Sequence, residues 1–103
     1  MEASKKPVGN AQTRLLAVIE ALSGREVFGV RLKEVAATIG AVESTALRDL
    51  QTLEQAGWAK QDEGGKWRLG ARPIQICHAF FSGLERARRQ VEETELNYTR
   101  TAK

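Results

Sequence analysis

The sequence predicts a mainly α-helical chain carrying one small β-hairpin, and three observations lead there. Apolar residues recur at three- and four-residue steps in three segments before residue 57. A short alternating segment around an acidic, glycine-rich tip follows, and a long segment without proline after Pro73 returns to helical spacing. With 103 residues, 42% of them hydrophobic, the chain suits one small globular domain and excludes a large enzyme core.

The first helix is expected over residues 11–23, where Leu15, Leu16, Ile19 and Leu22 share a face, with Asn10 as its N-cap and Gly24 as its stop. Residues 1–10 are polar, with Lys5 and Lys6 but no apolar stretch after them, and read as a flexible arm rather than a secretory signal. Arg25 to Arg31 carries Val27, Phe28 and Val30 around Gly29, a loop with a short extended piece able to pair with a later hairpin.

A second, short helix takes in Leu32, Val35, Ala36 and Ile39 and closes on Gly40. A third begins near Glu43 or Ser44, places Leu47, Leu50 and Leu53 toward the core, and stops at Gly57. Residues 58–70 form the hairpin, with Asp62, Glu63, Gly64 and Gly65 at its tip, Trp67 and Leu69 on one face and Lys66 and Arg68 on the other. Pro73 suits the first turn of a fourth helix, expected over residues 73–98, ahead of a polar tail at 99–103.

This order is that of a winged helix-turn-helix, here spanning residues 11–72, followed by a long C-terminal helix. With three leucines turned inward, the third helix leaves Ser44, Thr45, Arg48, Gln51 and Thr52 outside, a set of hydrogen-bonding groups around one long cation. Such a surface suits a major groove. Ser44 and Thr45 would meet base edges or phosphates, and Arg48 would either approach guanine O6 and N7 or clamp a phosphate. Lys60, Lys66, Arg68 and Arg72 surround the wing, where cations meet phosphates or the minor groove. Asp62 and Glu63 would build the turn itself and point away from DNA.

The strings RLLAVIEALSG, LKEVAATIGAVESTALRDLQTLEQAGW and GGKWRLG resemble the N-terminal DNA-binding domain of IclR-type transcriptional regulators, over about Thr13 to Ile76. The resemblance implies that Ser44, Thr45 and Arg48 lie on a recognition helix facing DNA and that Lys66 and Arg68 lie in the wing. Where many such regulators have Leu-Pro and a basic or polar residue before the Ser-Thr pair, this chain has Ala41, Val42 and Glu43, an acid that phosphates would repel unless it accepts from cytosine N4. Family members usually continue into an effector-binding domain. The resemblance therefore implies either a free-standing reduced regulator or the DNA-binding portion of a longer one, with no small-molecule effector domain in this chain.

In the fourth helix Cys77, Phe80, Leu84, Ala87 and Val91 recur at alternating three- and four-residue steps, broadened by Phe81, so a dimer interface is expected there. A two-fold dimer would present two recognition helices to half-sites one helical turn apart. The 16 Lys plus Arg against 13 Asp plus Glu leave a net charge of +3, which permits a polyanionic partner without requiring one.

Catalytic chemistry finds no support. His78 adjoins Cys77, and adjacent helical positions point about 100° apart, so the two make no nucleophile and base pair. One Cys with one His builds no zinc site and no internal disulfide; no cofactor or metal is expected, and a reducing, cytoplasmic setting is. The longest apolar runs, such as Leu15 to Ile19, fall far short of the ~20 residues that span a bilayer. The expected function is thus sequence-specific binding of double-stranded DNA by a homodimeric regulator, a repressor by preference. The competing reading is a winged helix used for protein contact, which Glu43, Asp49 and the modest charge favour.

Overall fold

The computed structural model describes residues 10–101. Their order is α1 (Asn10–Leu22), α2 (Leu32–Ile39), α3 (Glu43–Gln55), β1 (Ala59–Gln61), β2 (Trp67–Leu69) and α4 (Ala71–Thr101). The chain divides after Pro73 into two compact units.

In the first unit, α1 buries Val18 and Leu22, with Leu15 and Ile19 packed at the edge of the same cluster. Asn10, expected as the cap, is already helical, and the rest of the expected arm lies outside the described residues. At the start of α2 the Glu34 carboxylate accepts the Arg31 backbone N–H at 3.3 Å, while the Glu34 N–H reaches the Arg31 carbonyl at 2.9 Å. This satisfies an N–H of the entering chain that the helix itself leaves open. At the other end Gly40 adopts φ 71°, a left-handed conformation costly for any residue with a Cβ. Ala41 N–H then bonds Ala36 O, and Gly40 N–H bonds Ala37 O, closing the helix in a Schellman arrangement.

The third helix follows after three residues and buries Ala46, Leu50 and Leu53, with Leu47 packed at the edge. The leucine periodicity therefore predicts its inner face correctly. It closes as α2 does, with Gly57 N–H to Glu54 O and Trp58 N–H to Leu53 O.

The strands β1 and β2 pair antiparallel, Ala59 with Leu69, Lys60 with Arg68 and Gln61 with Trp67. The extended piece foreseen in the α1–α2 loop joins them: Val30 and Trp67 exchange N–H to O=C bonds of 2.9 and 2.7 Å. This bridge fastens the wing to the helices and helps seal Trp67, which is fully buried among Val18, Leu22, Val35, Leu50 and the other core residues. Burial of so large an indole makes it a principal anchor of a small core.

The fourth helix is longer at both ends than the sequence predicts. It starts at Ala71, placing Pro73 in the first turn, where its missing N–H has no partner to lose. The expected polar tail is helical through Thr101. There the Thr94 and Thr99 hydroxyls donate to Gln90 O and Glu95 O one turn back, and Arg100 lies where the helix dipole favours a cation. No described helix is long and apolar enough to cross a membrane.

Candidate nucleic-acid interface

The outward face of α3 carries Ser44, Arg48, Gln51 and Gln55, spaced by four, three and four residues, so they form one row along the helix. All four are exposed. Arg48 enters no ion pair among the described residues. Gln55 lies at the centre of this face and was not singled out from the sequence; its four-residue step from Gln51 is the signal that marks it.

Two of the expected contacts stand beside the row. Thr45 is half-buried, and the Thr52 hydroxyl donates to the Arg48 carbonyl at 2.9 Å, leaving its oxygen as an exposed acceptor. Glu43 is exposed on the flank of the helix shared with Leu47 and Glu54, about 100° from Ser44, so its charge lies off the row. Asp49, a third acid of this helix besides Glu43 and Glu54, is buried at 5% exposure and paired with Arg14 of α1. The outward face therefore presents neutral hydrogen-bonding groups and a single cation.

In the wing, the tip is built by Asp62, whose Oδ1 accepts the Lys66 N–H at 2.9 Å while its backbone N–H bonds Lys66 O at 2.8 Å. Its Oδ2 accepts Arg68 Nη2 at 2.6 Å. The Lys66 N–H, first, and the Arg68 guanidinium, second, hold the Asp62 carboxyl below the usual aspartate range. Arg68 also donates through Nη1 to the carbonyls of Glu26 and Val27. Three of its five donor positions are thus engaged inside the fold. Lys60 and Lys66 carry no ion pair among the described residues, and Lys60 is exposed.

Two further cations stand at the start of α2, Arg31 as its N-cap and Lys33 in its first turn. Arg31 and Lys33 are exposed and enter no ion pair among the described residues. Arg31 directly follows the bridged Val30, and Lys66 directly precedes the bridged Trp67, so both stand at the same end of that antiparallel bridge. The sequence hides this, because the bridge joins positions 37 residues apart.

A groove of about 670 Å³ runs between α1 and the end of α3, walled by Leu15, Leu16, Ile19, Leu53, Ala56 and Trp58. In the second unit, Cys77, Phe80, Phe81, Leu84, Ala87 and Val91 are all exposed on α4. The Phe80 and Phe81 rings, 60% and 63% exposed, meet edge to face at 5.1 Å. No group of three metal-ligating side chains gathers among the described residues.

The arrangement has known counterparts. The IclR helix-turn-helix domain model matches residues 12–63. An IclR transcriptional regulator from Alicyclobacillus acidocaldarius shares 26% identity at a TM-score of 0.61, covering 69% of this chain and 28% of the regulator. Pseudomonas aeruginosa HmgR shares 26% identity at a TM-score of 0.60, over 70% of this chain and 29% of its own. An IclR family regulator from Brucella abortus, at 23% identity and a TM-score of 0.65, covers 82% of this chain and 33% of its own, and shows likeness of fold alone. No curated protein sequence matches. The chain spans a third or less of the regulators it resembles. With that domain model matched over half of its residues, the chain belongs to the IclR helix-turn-helix domain family.

Proposed function

We propose that this chain binds double-stranded DNA in a sequence-specific manner as a homodimeric regulator, a repressor by preference, acting by occupancy without chemistry on the DNA. The observation that carries this reading is the row Ser44, Arg48, Gln51 and Gln55, exposed on one face of α3 and clear of that helix's three acids, with Glu43 and Glu54 on the flank and Asp49 buried. Gln and Arg are the side chains whose paired donors and acceptors match adenine and guanine edges in the major groove. Ser44 and Thr45 at the start of the helix, with the Thr52 oxygen, supply further base-edge or phosphate contacts. Lys60 and Lys66 of the wing, with Arg31 and Lys33 at the start of α2, supply the cations for backbone phosphates. The exposed α4 residues from Cys77 to Val91 supply the dimer contact.

A direct test is fluorescence anisotropy of a labelled mixed-sequence duplex at two salt concentrations, with Arg48→Ala alongside. Steeply salt-dependent binding that the substitution weakens supports the reading. The second reading, a winged helix used for protein contact, is favoured by the apolar groove beside Leu16 and Trp58. Absence of DNA binding at low salt decides for it.

A further inference from the structure

Asp49 is the one buried charged residue among the described residues, and it sits on the helix that the proposed function assigns to base reading. Arg14 reaches it from α1, 35 residues earlier, with Nε to Oδ2 at 2.5 Å and Nη2 to Oδ1 at 3.0 Å. The Arg14 side chain keeps 30% of its surface exposed against 7% for Asp49. The contact is a two-point fork in which each guanidinium nitrogen meets its own carboxylate oxygen. Such a pair fixes direction as well as distance.

The other attachments of α3 to the core are the buried Ala46, Leu50 and Leu53 and, at the edge, Leu47. Apolar burial resists pulling the helix away but is non-directional, so it opposes roll about the helix axis only weakly. Successive residues stand about 100° apart around that axis. Asp49 borders the apolar stripe, and Arg48 precedes it by one residue, about 100° round the helix, so a roll that moves Asp49 moves Arg48, Gln51 and Gln55 with it. Base reading demands placement within about 0.5 Å and 10–20°. A buried ion pair is a poor device for stability, since the cost of stripping water from the charges offsets their attraction and apolar replacements serve as well. Orientation is what the fork supplies and what apolar packing does not.

We propose that Arg14 and Asp49 are positioning residues that set the roll of α3 and thereby the base preference of its outward row, without touching DNA. This rests on the DNA-binding reading of the same helix. The test is selection of duplexes from a random-sequence pool, read by sequencing, with the whole chain and three variants: Asp49→Asn, Arg14→Lys, and the double variant Arg14→Leu with Asp49→Leu. Folding is followed by circular dichroism, and binding to an unselected random duplex is measured at two salt concentrations.

The expected result is a folded double variant with unchanged affinity and salt slope on the random duplex. Its enrichment of the wild-type motif falls about five- to a hundred-fold or moves to another motif. Arg14→Lys, which keeps the charge but loses the fork, gives an intermediate loss. The same motif at the same enrichment in the folded double variant overturns the proposal. So does a loss that is equal on selected and random DNA and follows thermal stability, which a merely structural pair would give. Where the double variant does not fold, Arg14→Lys and Asp49→Asn decide by the same criteria. Failure of the wild-type chain to enrich any motif defeats the DNA-binding reading itself, and the positioning role falls with it; that outcome is distinct from the others.

Discussion

Gly70 lies against the backbone of Gly57 so closely that a Cβ on Gly70 would stand 2.4 Å from the Gly57 carbonyl oxygen and 3.1 Å from Ala59 N. The groups it would meet are main chain at the end of α3 and the start of β1, and neither can swing aside. Gly70→Ala must therefore part β2 from β1, at a cost of about 1–3 kcal/mol. Urea denaturation followed by Trp fluorescence measures it. An unchanged midpoint would mean that the hairpin exit is looser than this contact implies.

Gly83 in α4 presents the opposite case. Its φ is negative, and the nearest atom to an added Cβ is the end of the Arg86 side chain at 3.7 Å. Gly83→Ala is expected to stabilise the helix by about 0.5–1 kcal/mol, because alanine loses less backbone freedom on ordering. Helix content by circular dichroism across a thermal melt reports it. A lowered melting temperature would place a close neighbour at Gly83 in the assembled protein.

Arg68 and Lys66 lie two residues apart in the wing and are expected to behave differently. Arg68 binds Asp62 and two carbonyls of the α1–α2 loop, whereas Lys66 enters no ion pair among the described residues. Lys66→Ala should reduce the salt slope of DNA binding by about 1, with little change in stability. Arg68→Ala should leave the slope in place and cost about 1–3 kcal/mol of stability through lost charged hydrogen bonds. Anisotropy titrations over a salt series, with thermal melts of both variants, separate the two. A slope reduced by Arg68→Ala would put this guanidinium on a phosphate.

These contacts also show which parts of the site were legible in sequence. The spacing of Leu47, Leu50 and Leu53 reveals the inner face of α3 because helical periodicity is local, and the same count marks Ser44, Arg48 and Gln51 as outward. The engagement of Arg68 is not local. Its carbonyl partners lie 41 and 42 residues away, brought near by the pairing of Val30 with Trp67. Burial of Asp49 likewise depends on Arg14, 35 residues earlier. A charged residue beside a leucine stripe reads as solvated surface until its partner on another helix is known.

Asp62 makes wing stability pH-dependent. Its folded carboxyl titrates below the usual value because the ionised form accepts the Lys66 N–H and the Arg68 guanidinium. A depressed folded value means that the unfolded chain takes up the proton first. The stabilisation is therefore fully present above the unfolded value of about 3.9 and lost as pH falls through the lower folded value. Urea midpoints of wild type and Asp62→Asn, measured from pH 7 to pH 2, should differ above about pH 4 and converge below it. A difference that persists unchanged into acid would remove this carboxylate as its source.

The exposed face of α4 carries the last prediction. A helix of 31 residues is about 46 Å long, and Phe80, Phe81, Leu84 and Val91 each leave close to half or more of their surface in water. At ~25 cal/mol per Å², covering such residues provides a substantial drive to associate, and a second copy offers a complementary apolar stripe. The ion pairs Glu85–Arg88 and Glu85–Arg89 lie along the same helix segment and keep the stripe flanked by charge. Leu84→Glu would bring two carboxylates together at the centre of a two-fold contact. It should turn a dimer at micromolar concentration into a monomer by sedimentation equilibrium and flatten DNA binding, because one recognition helix then engages one half-site. A wild-type chain that sediments as a monomer with and without DNA would leave this face without its proposed partner. A Leu84→Glu variant that remains dimeric would move the dimer contact elsewhere on the chain.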